Sequence, residues 1–341
     1  MNQTPFISIC ILSYNRPETL HRLLCTIDSI HASDIEVLVC EDCSPRQQEI
    51  RKVVSDFAEK DVYPIRLVEN ERNLGYDATF NRLIQNAEGK WLVFMGDDDE
   101  FVPMAFDSMY DFLKNHHELG YVMKSHYLIH ADRDREKFRY FKSTQLFPPG
   151  VDTYIKLFRK SVFIAGFTIR REYVIPFITD RFDGTMLMQL YLLAEVVLKY
   201  PSAYFDEPFT QQYASHSHNS KDVMFDREKK IFIPRRPTLD ISLKFLKSFS
   251  QITAYIDDRH HLDSTRMIKY DMSKYFYPSL AIHRDAGVVF FLNYVRQLAK
   301  LGFNASPYYY LYVFMLIVLG RRNCDWGIYS LKRILGYTPQ L

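Results

Sequence analysis

Three consecutive carboxylates close one apolar run, Trp91-Leu92-Val93-Phe94-Met95-Gly96-Asp97-Asp98-Asp99. Aspartate is almost never fully buried without a partner or a cation, and three like charges at one strand end repel each other. Carboxylates are hard oxygen ligands suited to Mg²⁺ or Mn²⁺, ions that usually share their coordination sphere with substrate phosphates. The segment is therefore a candidate metal–diphosphate site. Two more polar clusters, Ser13-Tyr14-Asn15-Arg16 and Glu41-Asp42-Cys43-Ser44, also follow apolar runs.

The elements that must position these clusters alternate. Residues 6–12 form a nearly continuous apolar run, as expected of a strand buried on both faces. Pro17 and Glu18 open a helix whose apolar positions Leu20, Leu23, Leu24, Ile27 and Ile30 follow helical spacing. Residues 35–40 read as a second strand, Arg46 to Lys60 as a polar helix and 64–69 as a third strand. Asn73-Leu74-Gly75 is a turn, Tyr76 to Ala87 a helix, and 90–95 the strand that ends in the acidic triplet. This alternation predicts a parallel α/β sheet with ligands at the carboxyl ends of its strands. All three clusters fall at those ends.

Further along, Tyr121-Val122-Met123 reads as a strand, His130 to Arg139 as a charged turn or loop, and 161–170 as another strand. Asp183-Gly184-Thr185 is expected to cap a buried helix over 186–199. Beyond Pro237 the pattern turns helical. The run Pro307 to Leu319, followed by Gly320-Arg321-Arg322, is too short to cross a membrane. It reads either as a core helix or as an in-plane membrane contact.

Composition sets outer limits. The chain has 341 residues, 47% hydrophobic and 25% charged, as a globular protein has. Its net charge of +2 does not call for nucleic acid as a partner. Five cysteines, an odd number in apolar patterns, fit a reducing compartment. Cys40-Glu41-Asp42-Cys43 lacks the second pair that a zinc site requires. Met1-Asn2-Gln3-Thr4 shows no secretory signal, so the expected location is cytoplasmic.

Four clusters in order, Ile7 to Arg16, Val39 to Ser44, Asn73-Leu74-Gly75 with Asn81, and Met95 to Asp99, together resemble family 2 glycosyltransferases of the GT-A fold. The resemblance covers about residues 5–105, with a weaker extension over 160–220. It implies a GT-A domain over 1–225 with a mostly parallel central sheet, and a helical C-terminal region over 226–341. It also implies an inverting enzyme that uses a nucleotide-diphosphate sugar, UDP-linked by preference, and Mn²⁺ or Mg²⁺. The acceptor would be a surface glycan or lipid-linked oligosaccharide, with peripheral membrane contact and no nucleic acid.

The resemblance also assigns roles. Ser13, Tyr14, Asn15 and Arg16 would border the nucleotide, and Asp42 would accept from the base ring N–H or cap the following helix. Asn73 and Gly75 would complete that side. Asp97 and Asp98 would serve the ribose, and Asp99 the metal, with Asp97 and His218 as further metal ligands. Asp183 would be the catalytic base, with Asp180 behind it, although an N-cap role alone accounts for Asp183. His216 and His218 would supply a further metal ligand or contact the diphosphate, and Lys221, Arg235 and Arg236 are candidates to neutralise phosphates of the donor or of a lipid diphosphate acceptor. A sugar-nucleotidyltransferase would be expected to show a Gly-rich basic loop, absent from Ser13 to Pro17. A non-catalytic nucleotide-sugar-binding scaffold is the other alternative.

Overall fold

The computed structural model describes residues 4–130, 135–213 and 239–335. His216, His218, Lys221, Arg235 and Arg236 lie outside the described residues. The chain forms two units, Met1–Lys230 and Ile231–Leu341.

In the first unit, β1 (Ile7–Ser13), β2 (Ile35–Glu41) and β4 (Trp91–Gly96) are buried almost end to end, as their continuous apolar runs require. β3 (Ile65–Glu69) is a half-buried edge strand. Between them run α1 (Pro17–Cys25), α2 (Gln47–Ala58) and α3 (Tyr76–Asn86). Then follow β5 (Glu100–Phe101), α4 (Ala105–Asn115), β6 (Tyr121–Ile129), β7 (Arg135–Phe138), β8 (Gln145–Phe147) and α5 (Val151–Phe158). β9 (Phe167–Arg170), α6 (Arg171–Val174), α7 (Met188–Val197) and β10 (Ser202–Tyr213) complete the unit.

The strands form one sheet in the order β3-β2-β1-β4-β9-β6-β10-β5, with β7 on β6 and β8 on β10. The four longest ladders, β1–β2, β1–β4, β2–β3 and β6–β10, are parallel. β9 runs antiparallel to both β4 and β6 and separates the two parallel groups. Phe80 of α3 stacks on Phe94 of β4 at 3.9 Å between ring centroids, with Phe167 of β9 edge-on to both. This aromatic cluster seats α3 on the centre of the sheet.

Three expectations need correction. α1 stops at Cys25 because the Thr26 hydroxyl turns back to the Leu23 carbonyl at 2.6 Å, which leaves Ile30 83% exposed and not on a helix face. The strand expected over 161–170 begins only at Phe167, because 159–161 forms a 3₁₀ turn. Part of the 130–139 loop is β7, where Glu136 pairs with Leu128.

At the amino ends of the strands, the buried Glu36 carboxylate accepts from Ser8 Oγ, from Glu88 N at 2.6 Å and from Gly89 N at 3.3 Å, and pairs with Arg66 at 2.8 Å. A Cβ at Gly89 would lie 2.5 Å from Ser8 N. Gly89→Ala is expected to lower unfolding stability by about 1–3 kcal/mol, the range for overpacking. Denaturant titration checks this, and an unchanged midpoint would show that the turn yields.

The second unit is helical throughout its described residues: α8 (Leu239–His260), α9 (Ser264–Ser273), α10 (Tyr277–Asp285), α11 (Val288–Lys300), α12 (Pro307–Val318) and α13 (Gly320–Leu335). Asp257 caps α9 by accepting from Ser264 N and Thr265 N, both at 2.9 Å. Among the described residues no helix is long and apolar enough to cross a membrane.

Candidate active site

The carboxyl ends of β1, β2 and β4 bring the three polar clusters to one rim. β1 ends at Ser13, whose carbonyl accepts from Asp42 N at 3.2 Å and ties the first two clusters together. The chain then turns through Asn15, held at φ 60°, an angle that asparagine tolerates better than most residues. This turn aims Tyr14 N at Asp97 Oδ2, 2.9 Å away, and brings the Arg16 guanidinium onto Asp97 and Asp98, the latter at 2.6 Å. Tyr14 is buried, and its main-chain N–H meets the acidic cluster.

Burial drives the Asp97 carboxyl above the usual range, with Arg16 pulling it back and Asp98 adding to the rise. Asp99 is pushed well up by burial and then by Asp98, with Lys124 opposing. Burial lowers Lys124 on β6 to about 7, and Asp99 partly offsets that. A Cβ on Gly166 would sit 2.5 Å from Lys124 Cε, and Gly166 adopts φ +76°. Glycine there serves both the turn and the passage of the lysine stem.

Three carboxylates thus face two cationic side chains. Among the described residues no group of three metal-ligating side chains is placed to hold an ion. Asp97 takes Arg16 and Tyr14 N, and Asp98 shares Arg16 through its Oδ2, so Asp99 and the Oδ1 of Asp98 are the candidates to meet an ion. A Cβ on Gly96 would meet Asp98 Oδ1 at 3.0 Å and Asp99 Oδ2 at 3.8 Å, so glycine keeps clear the space where these oxygens converge. Mg²⁺ is usually held by one or two carboxylates with substrate phosphates completing its sphere. The residues fit such an ion.

Asp42 is fully buried and heavily used. It accepts from Asn70 Nδ2 at 2.7 Å, Leu74 N at 2.7 Å and Gly75 N at 2.8 Å, while its carbonyl accepts from Asn73 Nδ2 at 3.2 Å. Burial raises its pKa against these donors. Asp42 caps no helix directly after it; it fixes the Asn73–Gly75 turn that opens α3. Gly75, at φ 87°, presents its N–H to Asp42 from a backbone angle open mainly to glycine.

Asp183 lies on the segment between α6 and α7 and does not cap α7, which begins at Met188. Asp77, in the first turn of α3, instead accepts from Met186 N at 2.8 Å and Met188 N at 2.9 Å. One turn further along α3, Asn81 Nδ2 donates to the Thr179 carbonyl at 2.8 Å. Helix α3 therefore clamps both ends of the 179–188 segment, with Asp183 between the clamps. An acidic residue in a helix first turn is the only trace of Asp77 in the sequence; Lys124 shows as one charge inside an apolar strand run.

Burial raises Asp77 to about 6, opposed by Met186 N and Met188 N and assisted by the Asp183 charge. A carboxyl raised on folding contributes its stability fully below its unfolded pKa and loses it as pH rises through the folded value. Relative to Asp77→Asn, the wild-type chain is expected to lose at most about 3 kcal/mol between about pH 4 and pH 7. Urea unfolding of both proteins across that range is the check. A constant difference would mean that Asp77 does not titrate there.

Comparison with known proteins bears on the same region. Residues 8–175 match the model of glycosyl transferase family 2. An uncharacterized glycosyltransferase of Haemophilus influenzae is 26% identical over 116 residues, 34% of this chain and 37% of that one. A protein of Escherichia coli K12 with the provisional name colanic acid biosynthesis glycosyl transferase WcaA is 27% identical over 103 residues, 30% of this chain and 36% of its own. Each match spans little more than a third of the relative. The crystal structure of S. aureus TarS 1–349 in complex with UDP-GlcNAc aligns with a TM-score of 0.61 at 12% identity, over 86% of this chain and 80% of that one. That likeness is one of fold, and the fold is GT-A with a helical C-terminal region.

Proposed function

This chain belongs to glycosyl transferase family 2 through its residues 8–175, and on that premise we propose that it moves a sugar, with inversion, from a nucleotide diphosphate to an acceptor hydroxyl. The observation that carries the reading is the rim where Arg16 pairs with Asp97 and Asp98 and Lys124 faces Asp99. UDP is the preferred donor nucleotide; the TarS complex with UDP-GlcNAc supports that choice for a shared fold. A surface glycan or lipid-linked oligosaccharide is the preferred acceptor, supported by the name of the E. coli relative.

In this mechanism the Ser13–Arg16 turn borders the ribose and phosphates, and the Asn73–Gly75 turn, fixed by Asp42, borders the base. Asp99, with Asp98 beside it, would hold Mg²⁺ or Mn²⁺ against the diphosphate; that ion would neutralise charge as the diphosphate leaves. Asp97 acts through Arg16, which it holds at the rim. The acceptor oxygen attacks the anomeric carbon, the bond from that carbon to the diphosphate oxygen breaks, and Asp183 takes the acceptor proton. The Asp77 and Asn81 clamps set where Asp183 stands.

Thermal unfolding with UDP, dTDP, CDP and GDP, each with and without Mn²⁺, tests the reading. A nucleotide at a hundred times its dissociation constant is expected to add about 2.7 kcal/mol. Stabilisation by UDP that requires Mn²⁺ is the expected result. No shift with any nucleotide in a folded sample would sink it.

A further inference from the structure

Helix α12 carries no charged residue, and only Tyr309 and Leu316 along it are buried. At 100° per residue these two share one face. Leu311, Phe314 and Val318 fall on the opposite face, with Tyr310 and Ile317 on its flank, each between 44% and 63% exposed. The stripe is aromatic and aliphatic throughout, about 12 Å long on a helix of about 18 Å, and too short to cross a bilayer of about 30 Å. α13 follows at once with Arg321 and Arg322 and exposes Trp326 at 72%.

Charge says what covers such a face. Residues 231–341 contain fifteen lysines and arginines against seven aspartates and no glutamate, a net +8. Residues 1–230 contain 28 against 34, a net −6. A small positive total thus conceals a strongly basic second unit. Two copies meeting through this stripe would bring like charge to like charge. An anionic surface would attract it, and tyrosine, tryptophan and arginine suit the level of lipid headgroups.

We propose that the second unit docks on an anionic lipid bilayer, with α12 lying in the plane of the interface and its Tyr310–Val318 stripe inserted among the acyl chains. Basic side chains of the unit then face the headgroups. The contact needs no donor or acceptor sugar, so it stands apart from the transfer reaction.

Vesicle co-sedimentation of the full chain tests this, using mixed phosphatidylcholine–phosphatidylglycerol vesicles and pure phosphatidylcholine vesicles. The anionic vesicles are expected to bind at least about tenfold more protein, with the gain falling at high salt. Phe314→Glu places a charge on the exposed stripe and is expected to remove binding while leaving the unfolding temperature unchanged. Arg322→Glu should weaken binding to anionic vesicles only. Equal partition of wild type and Phe314→Glu, or none with either vesicle, would overturn the proposal. So would self-association in sedimentation velocity that Phe314→Glu abolishes, without vesicle binding, which would make a second copy the occupant.

Discussion

Asp99→Asn is expected to lower kcat by about 10²- to 10³-fold, about 3–4 kcal/mol of transition-state stabilisation, and at the same time to raise the unfolding temperature of the nucleotide-free protein. The two effects have one cause. Asp99 is buried beside Asp98, and both burial and the neighbouring charge oppose its ionised form, with Lys124 compensating in part. Stability from a carboxyl whose pKa is raised on folding is lost as pH rises through the folded value, and a neutral isostere has no charge to bury, so above that value it relieves the folded state. In the proposed reaction Asp99 is the carboxylate that would meet a cation and the leaving diphosphate, so the same substitution is expected to lower the rate. A residue kept only for packing would show lower stability with little change in rate. Parallel measurement of kcat and of unfolding, without nucleotide, separates the two cases; a fall in both would remove Asp99 from the proposed role.

Asp183→Asn is expected to lower kcat by about 10²- to 10⁴-fold, the range for loss of a general base, while nucleotide stabilisation in the thermal assay stays as in the wild type. In the structure Asp183 is not the cap of α7. The amino end of α7 is held by Asp77 through Met186 N and Met188 N, so Asp183 is not needed as its cap. Asparagine preserves shape and hydrogen bonding but cannot take a proton from an acceptor hydroxyl. Activity within twofold of wild type would retire Asp183 and pass the assignment to Asp180 on the same segment. Loss of nucleotide binding along with activity would instead mean that the segment had moved, and Asp77→Asn would then share the phenotype.

Much of the donor side was legible because its signals are local. The apolar runs of β1, β2 and β4 each end in a polar cluster, and parallel strands in alternation with helices must bring those ends to one rim. What the clusters do to each other was less legible. Asp42 also holds the Asn73–Gly75 turn through both of its oxygens. Asp97 also meets Arg16 and Tyr14 N. Residues far apart in the chain decide both outcomes, and no spacing rule reaches across 32 or 83 positions.

By itself, then, the amino-acid sequence determined the alternating elements, the carboxylates at the strand ends and the helical character of the C-terminal region. Each of these follows from periodicity or composition over a few turns. Only the tertiary structure decided that Lys124 lies buried against Asp99, that Asp77 and Asn81 clamp the Asp183 segment, and that one face of α12 is left uncovered. The physical reason is the same in all three. A buried polar group must find a partner, and an apolar stripe must find cover. Packing between distant elements chooses which partner or cover it meets.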